Sequence, residues 1–109
     1  MLPKENRLKN KKDFEKVFKN GKGFKDGLLY VKFAGNNLKD SRFGFIVSTK
    51  VSKKAVVRNK IKRILRAALK SELKDIKKGV DAVIITSPGI EINDLNIKIE
   101  KLLEKAKLI

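Results

Sequence analysis

Ala55-Val56-Val57-Arg58-Asn59-Lys60-Ile61-Lys62-Arg63-Ile64-Leu65-Arg66-Ala67-Ala68-Leu69-Lys70 carries two patterns at once. At 100° per residue, Val57, Ile61, Ile64, Leu65, Ala68 and Leu69 gather on one connected arc. That spacing predicts an amphipathic helix from about Lys53 to about Lys70. Arg58, Lys62, Arg66 and Lys70 form an i, i+4 ladder, Asn59 and Arg63 widen it, and Lys60 lies nearer the opposite border of the apolar arc. No carboxylate interrupts this stripe before Glu72. A solvated helix face usually interleaves both signs, gaining about 0.2–0.5 kcal/mol per opposite pair. Stacked like charges disfavour the free helix, and a polyanion lying along the face accounts for them. A lysine-rich solvated face is the plainer alternative.

Outward from this helix the chain alternates. Val80–Thr86 is apolar except for Asp81 and rich in β-branched residues, which predicts a buried central strand. Phe43-Gly44-Phe45-Ile46-Val47-Ser48 reads as the strand before the helix, so strand, long helix and strand form a crossover. Leu28–Ala34 reads as a further strand, able to pair with Phe43–Ser48 as an antiparallel hairpin across the Gly35-Asn36-Asn37 turn. Gly21–Asp26 has room for one short strand. Asn10 precedes a short helix, with Asp13 in a capping-box-like relation, and Phe14, Val17 and Phe18 share a face. After Ser87-Pro88-Gly89, Asn93 or Asp94 caps a last helix with Leu95, Ile99, Leu102, Leu103 and Ala106 inward. Residues 1–10, polar and basic, read as a weakly ordered arm.

The 109 residues suffice for one domain, spanning 1–109. Lysine and arginine number 28 against 12 acidic residues, giving a formal charge of +16 at pH 7. Such self-repulsion asks for a polyanionic partner, and nucleic acid leads because phosphate contacts gain from counterion release. With no cysteine and no histidine, zinc fingers, thiol nucleophiles and histidine acid–base catalysis are excluded. The acidic residues, Asp13, Asp26, Asp40, Asp75, Asp81 and Asp94 among them, show no metal-ligand spacing, so the chain alone is not expected to cut RNA. No apolar run approaches a spanning helix, and the start lacks a signal core, which reads as a cytoplasmic protein.

The run Ala55–Arg66 resembles the RNR signature of the bacterial ribonuclease P protein family. Arg7-Leu8 through Asp13-Phe14-Glu15-Lys16-Val17-Phe18-Lys19-Asn20-Gly21 is similar to that family's first helix, and Phe43–Ser48 through Lys50 to its third strand. The likeness covers about residues 6–105. It implies an α+β fold, an α-β-β-β-α-β-α sandwich with an unusual left-handed βαβ crossover, similar to a ribosomal-protein domain. It implies that Arg58, Asn59, Lys60, Lys62, Arg63, Arg66 and Lys70 contact a catalytic RNA, one protein per RNA. It also implies a cleft between the first helix and the sheet, with Phe14, Phe18, Tyr30 and Lys50 toward the single-stranded 5′ leader of precursor tRNA. Catalysis, the endonucleolytic removal of that leader, then belongs to the RNA and its bound Mg²⁺, with no catalytic residue or metal ligand assigned to the chain.

Chemistry suits these roles, since arginines fork two donors onto phosphate and unpaired bases stack on aromatic faces without strong sequence demand. Asn59 could read a base edge or a 2′-hydroxyl, or simply bond the local backbone. Phe14 and Phe18 suit plain core packing at helical spacing equally well. Tyr30 joins the cleft if alternation places it with Leu28 and Lys32 on that side. Lys60 stands where the family usually has arginine, which keeps the charge and loses the fork. A structural RNA-binding protein of ribosomal type shares most of these features. A DNA-binding regulator lacks its helix-turn-helix here, and a membrane-surface helix lacks bulky aromatics.

Overall fold

The computed structural model describes residues 2–109. In chain order its elements are a short 3-10 turn (Lys4–Asn6), α1 (Lys11–Asn20), β1 (Lys22–Asp26), β2 (Leu29–Gly35), β3 (Arg42–Val47), α2 (Ala55–Glu72), β4 (Val80–Thr86) and α3 (Leu95–Lys105). This is the expected α-β-β-β-α-β-α order.

β4 has apolar side chains pointing both ways, so it needs cover on both faces and both edges. The sheet order β1-β2-β4-β3 provides it, with β2 antiparallel and β3 parallel to β4. β2 and β3 therefore do not form the antiparallel hairpin that their succession suggests. Such a hairpin would leave the most apolar strand at an edge. The hairpin instead joins β1 to β2, with Phe24 opposite Val31. The helical connection through α2 is what allows β3 and β4 to run parallel.

Alternation along the strands gives the sheet two different faces. Val31, Phe43, Val47, Ala82 and Ile84 lie on one, under Ile61, Leu65 and Leu69 of α2 and Leu95, Ile99, Leu102 and Leu103 of α3. A smaller core on the opposite face joins Val17 of α1 to Leu8 and Val83, with Phe14, Ile46 and Ile85 packed around it. Asp94 precedes α3 in left-handed backbone at φ 59° and makes no side-chain cap.

Residues 2–10 are not the weakly ordered arm that their composition suggests. Leu2 and Leu8 are buried, and Arg7 forms a parallel bridge with Phe43. The Leu8 N–H donates to the Phe43 carbonyl at 2.9 Å, and Asn6 Nδ2 to the Ser41 carbonyl at 2.7 Å. Two leucines at the right places outweigh the surrounding charge.

Candidate nucleic-acid interface

α2 buries Ile61, Leu65, Ala68 and Leu69 and turns its basic residues outward. Asn59, Arg63 and Lys70 are exposed along its crest, whereas Arg58, Lys62 and Arg66 are half-buried beside it. Lys60 is exposed on the Ile64 side of the helix, the opposite border from Arg58 and Lys62. Arg66 stacks its guanidinium over the Phe45 ring of β3, 5.7 Å from the centroid. Arg58 donates from Nη1 to the Ser52 carbonyl at 2.8 Å, so it ties down the loop before α2 while keeping further donors. Asn59 makes no side-chain bond to the protein among those described, leaving its amide free. Among the described residues both ion pairs belong to Arg42, so no carboxylate neutralises the α2 cations. The first turn of α2 has no acidic residue either, and the positive end of the helix dipole adds to the field.

On the other face, α1 crosses the strands along one row of the sheet. Gly44 of β3, Val83 of β4 and Lys32 of β2 are register partners in that row. Phe14 lies on Gly44, where an added Cβ would collide with the ring. Val17 packs on Val83, and Lys32 Nζ donates to the Phe18 carbonyl at 2.6 Å. A side chain at position 44 would displace the Phe14 ring from β3. The next row, Ile46, Ile85 and Tyr30, runs alongside α1 and is half-buried. Ile46 and Ile85 of this row pack against the cluster of Leu8, Val17 and Val83 under α1.

The two phenylalanines part company here. Phe14 is half-buried in packing on Gly44, whereas Phe18 is 38% exposed at the end of α1 nearest β2. Tyr30 shares the α1 side of β2 with Lys32, as alternation requires, and its ring reaches across Gly23 of β1. Phe18 and Tyr30 thus both belong to the α1 side of the sheet. Leu28, 41% exposed, lies in the turn before β2 and lines a recess with Ile90, Lys98 and Lys101 on the α3 side, so it does not join Tyr30 and Lys32. Lys50 is exposed in the turn after β3, at the sheet end where this row lies, and bonds none of the aromatics. The sequence pattern did not single out Ile46 and Ile85. Alternation within β3 and β4 would have found them once the strand order was known.

The opposite side of the α1 track is locked by charge. Arg42 bonds both carboxylate oxygens of buried Asp81, at 2.8 and 2.6 Å, and pairs with Asp13 of α1 at 3.3 Å. Asn36 Nδ2 also donates to Asp81 at 2.8 Å. The Arg42 pKa is raised above its usual value, chiefly by the Asp81 hydrogen bond, so its charge is permanent. Asp13 therefore anchors α1 to the sheet and does not complete a capping box. Asn10 alone caps, accepting from the Lys12 N–H at 3.0 Å. Among the described residues no three metal-ligating side chains converge, and Asp13 and Asp81 are held by Arg42. With their charge spent on Arg42, Asp13 and Asp81 do not fit a magnesium site.

A fold with one cationic helix face and a half-buried row of Ile46, Ile85 and Tyr30 beside α1 narrows the comparison with known proteins. The family model described as Ribonuclease P matches residues 2–107. The chain is 47% identical over 94 residues to the ribonuclease P protein component of a Synechocystis species, covering 84% of this chain and 76% of the relative. Among solved structures it superposes on the Staphylococcus aureus RNase P protein with a TM-score of 0.87 at 28% identity, over 94% of this chain and 96% of that one. The Thermotoga maritima RNase P protein gives a TM-score of 0.80 at 31% identity, over 91% and 96% of the two chains. The order of elements, the basic helix and the sequence likeness over nearly the whole length agree, and the chain belongs to the ribonuclease P protein family.

Proposed function

We propose that this chain is the RNA-binding subunit of a ribonuclease P holoenzyme, in which the RNA catalyses removal of the 5′ leader from precursor tRNA. The α2 crest, Asn59, Arg63 and Lys70 with Arg58, Lys60, Lys62 and Arg66 beside it, lies against the catalytic RNA. The cleft of Phe18, Tyr30, Ile85 and Ile46 holds the leader, with Lys50 at its mouth for a phosphate and Phe14 supporting the wall. One protein serves one catalytic RNA, in the cytoplasm. Mg²⁺ held by the RNA supplies the hydrolytic chemistry. The protein's own share is affinity for the precursor and screening of RNA–RNA repulsion by its positive charge.

The observation that carries this reading is a row of unneutralised cations on α2 and, on the opposite side of the sheet, exposed Phe18 of α1 with half-buried Tyr30 of β2. Structural RNA-binding proteins need the first and have no use for the second. Bases stacked on aromatic side chains gain about 1–3 kcal/mol each, largely irrespective of sequence. A leader that varies between tRNAs calls for that tolerance.

Adding the protein to a bacterial catalytic RNA at low Mg²⁺ is expected to restore 5′ maturation of precursor tRNA; no stimulation would refute the proposal. Within that system, Phe18→Ala should cut photocrosslinking of the leader to the protein about tenfold, the loss of one stacked base. Binding to the catalytic RNA alone should stay within twofold. Because Phe18 is already substantially exposed, the fold tolerates its truncation. Unchanged crosslinking would remove Phe18 from the cleft assignment.

A further inference from the structure

A recess lies between these two surfaces, at the outer edge of β3, and takes Phe14 from one and Arg66 from the other. Beyond the Arg7–Phe43 bridge that edge has no neighbouring strand among the described residues. Arg7 and Lys9 from the N-terminal segment, Phe14 from α1, Gly44 and Phe45 from β3, and Arg66 from α2 line an open groove of about 280 Å³. This is close to the lower end of small-ligand sites, about 300–1,000 Å³, and so of base size and too small for a duplex.

We propose that this groove seats a single unpaired RNA nucleotide. The inference rests on the holoenzyme reading above. Its three cations, Arg7, Lys9 and Arg66, pair with no carboxylate among the described residues. Arg66 already lies over the Phe45 ring, 5.7 Å from its centroid, which holds a guanidinium at the groove for a base to stack on. Phe14 supplies an aromatic wall on the other side of Gly44. Arg7 is fixed by its Nε bond to the Leu2 carbonyl at 2.9 Å, and with exposed Lys9 it brackets the position of a phosphate. The open strand edge offers backbone donors and acceptors to the rim of the base. Base, phosphate and edge contacts thus come from three separate elements meeting at one point. The groove also lies between α2 and the Phe14 end of the cleft, so a nucleotide there would bridge the two RNA-facing surfaces.

The test is 2′-hydroxyl acylation footprinting of the complex of catalytic RNA, precursor tRNA and protein. It compares the wild type with Lys9→Gln and Phe45→Leu. Lys9 is exposed and Phe45→Leu keeps an apolar side chain, so at least one variant retains the fold. One unpaired nucleotide protected by the wild-type protein should regain reactivity in both variants, with binding weakened about 5–10-fold, the effect of a lost stack or phosphate contact. Its position in the catalytic RNA or in the leader identifies which RNA supplies it. Identical footprints for wild type and both variants, with the holoenzyme assembled, would overturn the groove assignment alone. A wild-type protein that leaves no footprint on either RNA would overturn the holoenzyme reading with it.

Discussion

Arg42→Met is expected to destabilise the domain by about 2–4 kcal/mol. Removing one member of a buried ion pair costs about 3–5 kcal/mol because the other charge stays buried without its partner. Here Asp81 is 5% exposed and receives two bonds from Arg42. The Asn36 bond that survives, and the partial exposure of Arg42, reduce the cost. For a domain of about this size the melting temperature should fall by roughly 10–20 °C, at about 4–8 °C per kcal/mol. Asp81→Asn in the same chain should recover more than half of the loss, since the amide removes the stranded charge and can keep the Asn36 contact. Thermal unfolding followed by circular dichroism measures both. A single variant within 0.5 kcal/mol of wild type would show that the triad of Asp13, Arg42 and Asp81 does not hold α1 on the sheet.

Arg63→Ala combined with Arg66→Ala is expected to weaken catalytic-RNA binding by roughly 100-fold at low salt. Each charge-assisted contact contributes about 1.5–3 kcal/mol, and 1.4 kcal/mol is a factor of ten. The more specific signature is ionic. Each phosphate contact contributes about 0.7–0.9 to the slope of log K against log salt concentration, so the double variant should lower it by about 1.4–1.8. Arg63 is exposed and makes no ion pair, and Arg66 gives up only its stacking on Phe45, so stability should change by less than about 1 kcal/mol. An unchanged slope would mean that neither arginine meets a phosphate.

The basic helix was legible from sequence because its apolar positions recur at helical spacing with no competing pattern. β4 was legible for the related reason that an apolar run must be central. The strand order was not: β2 and β3 are adjacent in sequence, and only the two-sided burial of β4 forces it between them. In the N-terminal segment, composition misled, because Leu2 and Leu8 find a core that a count of charges does not reveal. Asp13 sits at capping spacing, yet its partner Arg42 is 29 residues away in β3 and becomes a neighbour only through the fold. The two phenylalanines of α1 could not be separated on spacing alone. Gly44 separates them, since Phe14 packs down onto it in β3 while Phe18 stays exposed. The groove at the β3 edge was beyond sequence reading for a similar reason, since its cations come from segments some 57 to 59 residues apart.

Equilibrium binding of precursor and mature tRNA to the catalytic RNA, with and without this protein, tests the division of labour most directly. The leader should raise affinity only when the protein is present, and that advantage should shrink about tenfold when Phe18 is replaced by alanine, as expected for one stacked base. Equal affinities for precursor and mature tRNA in the presence of the protein would contradict the account.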